Sequence, residues 1–245
     1  MPSPKSVFIT GASGGLGRGL ALHYAREGAT VHAVARRKDE LEKLAQESPN
    51  IVPVVLDVQD SDKLVLALRR AEPLDMVIAN AGIGQPTPAR KIDWMAVKRI
   101  MDVNVTAACV TIAAALPAMV LRNEGHVVAV SSLAAFRGMP GNGVYCASKA
   151  ALHTFMESMR VDLRRTKVRA TTIYPGFVKT DMTAKNKFPM PFIMELDDAV
   201  KVMARGLARG SKTIAYPLPL VAMVKTLHAL PGGVYEQMAG RVRMF

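Results

Sequence analysis

Tyr145 and Lys149 stand four positions apart in "YCASK", just after the turn-rich stretch "RGMPGNG". An i, i+4 spacing puts both side chains on one face of a helix. Ser132 closes the apolar run "HVVAVSS" upstream, and the intervening loop can fold its hydroxyl back towards the same point. A phenol with a pKa near 10 is a poor proton-transfer group at neutral pH unless a cation stabilises its anion, and Lys149 supplies one. Such a set suits reduction of a carbonyl. Tyr145 is the general acid, Ser132 hydrogen-bonds the carbonyl oxygen and Lys149 tunes the tyrosine. An isolated Tyr/Lys pair is more commonly an amphipathic ring beside a snorkelling lysine, so the rest of the chain has to decide.

Hydride chemistry needs a carrier. The first apolar run leads directly into "TGASGGLGRGL", residues 10–20, where glycines let the backbone turn tightly and approach a phosphate at the start of the next helix. Thr10, Gly11, Ser13, Gly15, Leu16 and Gly17 are the expected contacts of a dinucleotide loop. The spacing differs from G-x-G-x-x-G, so its place after the first strand of a βαβ unit carries the assignment. At the end of the second strand, where an acidic residue would hold the ribose 2′-OH of NAD, the chain reads "AVARRK". Arg36 and Arg37 supply planar donors for a 2′-phosphate, which favours NADPH over NADH. The alternative is a pair of solvated arginines at a strand end.

The elements that must position these residues follow from hydrophobic patterning. Seven Val/Ile-rich runs, "SVFIT", "TVHAVA", "IVPVVLD", "DMVIAN", "HVVAVSS", "VRATTIY" and "KTIAYP", are nearly continuous, as in strands buried on both faces. Helix-period segments lie between most of them, including long ones from about residue 92 to 119 and from about 144 to 165. This predicts a single α/β domain over residues 1–245, a doubly wound, seven-stranded and mostly parallel sheet with helices on both faces. The apolar stretch "VTAACVTIAAALPAMVL" is shorter than a bilayer requires and contains Pro117, which predicts a buried or interface helix.

Composition narrows the function. Half of the 245 residues are hydrophobic and 21% are charged, which excludes a disordered chain. The net charge of +12 is scattered and aromatics are 5%, so no nucleic-acid platform is expected. Neither cysteine has metal-ligand spacing, and the N-terminus shows no secretory signal, which together predict a cytoplasmic protein with no metal. Residues 181–195, "DMTAKNKFPMPFIME", read as a lid over an apolar pocket, with Met182, Phe188, Met190, Phe192 and Met194 facing an apolar ketone, aldehyde or alcohol.

With these pieces in order, the chain resembles the short-chain dehydrogenases/reductases over about residues 5–215. The cues are "TGASGGLG", "LDV" at 56–58, "ANAG" at 79–82, Asn104 in "DVNV", Ser132, "YCASK" and "YPGFVKT" at 174–180. The resemblance implies that Asp57 and Val58 flank the adenine, and that Asn80, Ala81 and Gly82 line the cofactor cleft. It places Pro175, Gly176, Val178 and Thr180 on the nicotinamide side and makes Lys149 a ribose anchor. It makes Asn104 the holder of a water linking Lys149 to solvent, where a satisfied core amide is the alternative. It also implies a homo-oligomer, most plausibly a dimer built on the two long helices.

The C-terminal region, about 216–245, departs from the Gly-rich tail common in that family. Residues 218–230 are expected to complete the substrate pocket, form a subunit contact or, least favoured, rest peripherally on a membrane. Two other functions stay open: a non-catalytic NADPH-binding regulator, and a sugar-nucleotide epimerase or dehydratase, which usually needs a larger C-terminal region.

Overall fold

The structure, a computed structural model, describes residues 3–184 and 189–240. The chain begins with β1 (Ser6–Thr10), α1 (Gly15–Arg26), β2 (Thr30–Ala35), α2 (Lys38–Gln46), β3 (Ile51–Val55), α3 (Ser61–Ala71) and β4 (Met76–Ala79). It continues through α4 (Trp94–Met101), a π-helical segment (Asp102–Thr106), α5 (Ala107–Arg122), β5 (His126–Val130), α6 (Gly143–Asp162) and β6 (Arg169–Pro175). It ends with α7 (Asp181–Ala184), α8 (Leu196–Ala208), β7 (Thr213–Tyr216), α9 (Leu218–Ala229) and α10 (Gly232–Gly240). All seven expected strands form.

The sheet order is β3-β2-β1-β4-β5-β6-β7, and every strand pair is parallel. β3, with Pro53, pairs only with β2, at the edge where a strand tolerates a missing N–H. Each sheet face carries its own core. Leu20, Tyr24, Leu41, Leu44, Met203 and Leu207 of α1, α2 and α8 cover one. Leu64, Leu68, Ile112, Met119, Leu152 and Met156 of α3, α5 and α6 cover the other. The strand order reverses between β1 and β4, which opens a crevice at the strands' carboxyl ends, where sheets of this type bind ligands.

The apolar stretch 105–121 belongs to a continuous 29-residue helix, Trp94–Arg122, so it does not fall short of a bilayer's thickness. What identifies its role is packing: Ala107, Ala108, Thr111, Ile112, Ala115 and Met119 are buried, while Val120 and Leu121 lie on its exposed outer side. One side is core and the other is open.

His126 is fully buried at the start of β5, with Nε2 2.8 Å from Thr171 Oγ1. Burial, assisted by the Arg169 guanidinium, lowers its pKa from 6.5 to about 3. The folded state therefore binds fewer protons than the unfolded chain below pH 6.5, and stability present above that pH is lost as pH falls towards 3. At pH 5 the loss is about 2 kcal/mol. We expect the thermal midpoint of the native chain to fall more steeply between pH 6.5 and 4 than that of His126→Gln. Parallel profiles would refute this assignment.

Candidate active site

The two long runs around the reacting groups end within reach of each other. Beyond β5, Ser132 is extended and caps a short 3-10 turn, its Oγ accepting from Ala134 N at 3.2 Å and lying 3.4 Å from Pro175 O. α6 starts at Gly143, and its first turn brings Tyr145 beside Ser132. Burial raises the Tyr145 pKa, and the Ser132 hydroxyl lowers it in part. One turn on, Lys149 is 4% exposed, and its Nζ donates to Val130 O at 2.9 Å and sits 5.8 Å from the Tyr145 ring centre. Desolvation pushes its pKa down to about 8. A buried ammonium thus stands beside a phenol, as the spacing predicted.

Asn104 lies in the π-helical segment, fully buried. Its Nδ2 donates to Ile83 O (2.9 Å) and Ser148 Oγ (3.0 Å), and its Oδ1 accepts from Ile83 N at 2.8 Å. Ser148 Oγ in turn donates to Tyr145 O at 2.7 Å. Both amide hydrogens are therefore spent on protein, and of the side chain only Oδ1 is left to accept from a water.

The glycine loop is braced from behind. Gly11 has φ +70°, which favours glycine. At Gly17 a Cβ would fall 2.4 Å from Gly11 O and 2.4 Å from Asn80 Nδ2, so the helix can lie against the loop only with no side chain there. Thr10 Oγ1 accepts from Asn80 N and Ala81 N, both at 3.1 Å, tying β1 to the end of β4. In front, Arg37 donates to Ser13 Oγ (3.1 Å) and Ser13 O (3.0 Å), and Arg36 Nη1 is 3.6 Å from Asp57 Oδ2.

A cleft of about 720 Å³ joins the two parts. It is lined by Gly11, Ser13, Gly15, Leu16, Arg36, Arg37, Asp57, Val58, Asn80, Ala81, Gly82, Ser132, Tyr145, Lys149, Pro175, Gly176, Val178 and Thr180. Thr10, Gly17 and Asn104 stand behind its wall and position the residues that face it. The cleft also takes in residues that the motifs did not single out, chiefly Ile83, Gly84, Gln85 and Pro86, together with Met182. Their sequence signal is only proximity to "ANAG" and "YPGFVKT". A Cβ on Gly84 would lie 3.8 Å from Met182 Sδ and 3.9 Å from Tyr145 Cδ2, so these groups share one end of the cleft.

Of the residues expected to form a lid, only part can be placed against the cleft. Met182 lines the cleft, whereas Met190 and Phe192 do not. Met194 joins the core instead, because residues 177–179 and 194 pair through Met194 N→Phe177 O (2.9 Å) and Lys179 N→Met194 O (3.0 Å). Phe188 lies outside the described residues. Among the described residues none of 218–240 lines the cleft, so that segment does not complete the pocket.

A nicotinamide dinucleotide fits this cleft. α1 has no side-chain cap at Gly14 and no acidic residue in its first turn, leaving N–H groups for a phosphate, and the Arg37 guanidinium stands on Ser13 while Arg36 lines the same cleft. The polar end can hold the anionic part and the Tyr145 end the reacting ring.

A short chain dehydrogenase family model matches residues 5–189. The chain is 48% identical over 249 residues to an uncharacterized oxidoreductase of Myxococcus xanthus, covering 98% of each. It is similar in structure to a short chain dehydrogenase from Burkholderia cenocepacia solved in complex with NADP (TM-score 0.85, 26% identity, 98% of each chain covered). A Burkholderia phymatum protein of the same kind, solved with NAD, has TM-score 0.86 at 20% identity, covering 100% of this chain and 97% of that one, and speaks for the fold alone.

Proposed function

The chain belongs to the short-chain dehydrogenase/reductase family of oxidoreductases, and from that premise we propose that it is an NADP(H)-dependent enzyme interconverting an apolar ketone or aldehyde and its alcohol. The observation that carries this reading is the Tyr145 phenol standing beside Ser132 and a buried Lys149, at the end of a cleft walled by Ile83, Gly84, Pro86 and Met182. When bound in the cleft, the coenzyme would supply the hydride that the carbonyl carbon receives. Tyr145 gives its hydroxyl proton to the carbonyl oxygen, and Ser132 donates a hydrogen bond to the same oxygen as charge builds there. Lys149 stabilises the phenolate left behind and anchors the coenzyme ribose. Asn104 and Ser148 hold the segment on which Tyr145 and Lys149 stand, and Asn104 Oδ1 supports a water on the path by which the proton is replaced. In the oxidative direction the same groups act in reverse.

The test is NADPH oxidation, followed by absorbance, across aldehydes, ketones and acyl-chain carbonyls, with NADH in parallel. NADPH-selective turnover of an apolar carbonyl supports the reading; coenzyme binding with no turnover of any carbonyl or alcohol would sink it.

Preference for NADPH rests on Arg36 and Arg37. Arg36→Ala is the cleaner variant, since Arg37 also holds Ser13. Losing one charge-assisted contact to a 2′-phosphate raises KM for NADPH about 10-fold or more while leaving that for NADH within about twofold. Equal changes for both coenzymes would remove the argument for selectivity.

The open side of the 94–122 helix and the outer side of α6 form the surface we assign to a dimer, with Val120, Leu121 and Val161 exposed. Light scattering at micromolar concentration should give twice the chain mass, and Leu121→Glu with Val161→Glu should give one. A monomeric native chain would overturn the assignment. A cytoplasmic site of action suits its two free cysteines.

A further inference from the structure

The C-terminal helices touch the site from outside. α9 sends Leu220 and Val221 into a small cluster with Leu133 and Tyr174, against which Phe136 and Val224 pack. Phe136 lies 5.0 Å from the Tyr174 ring and 6.4 Å from the His228 ring, and the His228 ring nitrogen Nδ1 reaches the Phe136 carbonyl at 2.5 Å. The next residue is Arg137. Its guanidinium forks to the carbonyls of His228 and Leu230, each at 3.3 Å, and lies 4.3 Å over the ring of Tyr235 on α10. The Tyr235 hydroxyl donates to Gly138 O. Five polar and cation–π contacts thus converge on three consecutive residues, 136–138, of the loop between Ser132 and Tyr145.

That loop holds a wall of the cleft. Gly141 O accepts from Thr87 N at 2.6 Å, and Gly84, Gln85 and Pro86, immediately before Thr87, line the cleft opposite Tyr145. Arg99 also donates to Gln85, so the wall is held from two sides. An Arg is suited to such a pin. Its planar fork accommodates two carbonyls while its face stacks on an aromatic ring, a combination lysine does not reproduce.

We propose that Arg137 is a positioning residue through which the C-terminal helices set the substrate wall of the cleft. It ties α9 and α10 to the 136–142 loop, and the loop places Gly84–Pro86 against the reacting group. The proposal rests on the carbonyl-substrate reading for its kinetic arm only. Its place far from the glycine loop separates it from coenzyme binding, and its contacts leave Tyr145, Lys149 and Ser132 untouched.

The experiment compares the full-length native chain with Arg137→Ala, Arg137→Lys and Tyr235→Phe. Hydrogen–deuterium exchange is read on peptides covering 84–91 and 136–143, NADPH affinity by coenzyme fluorescence, and KM and kcat on the best carbonyl substrate. In Arg137→Ala exchange rises in both peptides, KM rises about fivefold or more, and kcat and the NADPH Kd stay within about threefold. Arg137→Lys falls between, because it keeps the charge and loses the fork. Faster exchange confined to 136–143, or an unchanged KM, would overturn the proposal. Should Arg137→Ala not fold, Tyr235→Phe, which deletes one hydroxyl, carries the same comparison at smaller amplitude. Exchange needs no turnover, so a native chain inactive on every carbonyl would count against the reaction while the exchange result still decides the clamp.

Discussion

Tyr145→Phe is expected to lower kcat about 10³-fold with a carbonyl substrate while leaving the NADPH Kd within about threefold. The substitution removes one oxygen and keeps the ring. Among the described residues the groups that act on this hydroxyl, Ser132, Cys146 and the nearby cation of Lys149, include no carboxylic acid that could take over the proton. Ser132 cannot replace it, because an alcohol is a far weaker acid than a phenol. The cost to folding is small, about 1 kcal/mol for removing one hydroxyl group. Stopped-flow or steady-state NADPH oxidation, with fluorescence titration of the coenzyme, separates the two effects. Unchanged turnover would remove Tyr145 from the mechanism; coenzyme affinity lost in parallel would make its role structural.

Lys149→Met should reduce turnover by about 10²- to 10³-fold, because the phenolate then forms without a neighbouring cation. The same variant has a second readout that involves no coenzyme. In the folded chain the Lys149 pKa is about 8, against 10.5 for the unperturbed group, so folding disfavours the charged form. The unfolded chain binds more protons between these values, and the stability of the coenzyme-free native chain rises with pH through that window. The rise is about 3 kcal/mol in total, and Lys149→Met lacks it. Denaturant midpoints of the two chains, taken from pH 7 to 10 and subtracted, cancel the groups they share. A flat difference would mean that Lys149 is not desolvated as the fold places it. The protein thus carries a buried ammonium that costs stability at neutral pH, and in the mechanism proposed above that ammonium tunes Tyr145.

Much of this was legible residue by residue. The seven Val/Ile runs became the seven strands because a strand covered on both faces needs apolar side chains at every position. "TGASGGLG" was legible because a tight turn before a helix tolerates few residues but glycine. The Tyr145/Lys149 relation follows from helical periodicity alone, and Ser132 from its place at a strand end. What failed was local inference across long separations. Met194 reads like a lid residue in "FPMPFIME", yet its backbone pairs with residues 177–179 and its side chain turns into the core.

The sequence by itself determined the order of elements and the fold class and singled out the candidate reacting and coenzyme-facing side chains, since each depends on periodicity or on the chemistry of a few neighbouring residues. Only the tertiary structure decided which of those side chains face the cleft and which brace it. Thr10, Gly17 and Asn104 are placed behind the wall by hydrogen bonds or close backbone contacts to residues 80, 81, 83, 11 and 148. It also decided what the C-terminal helices do. Arg137 meets Leu230 and Tyr235 across more than 90 residues of chain, and no local pattern encodes a partner that distant.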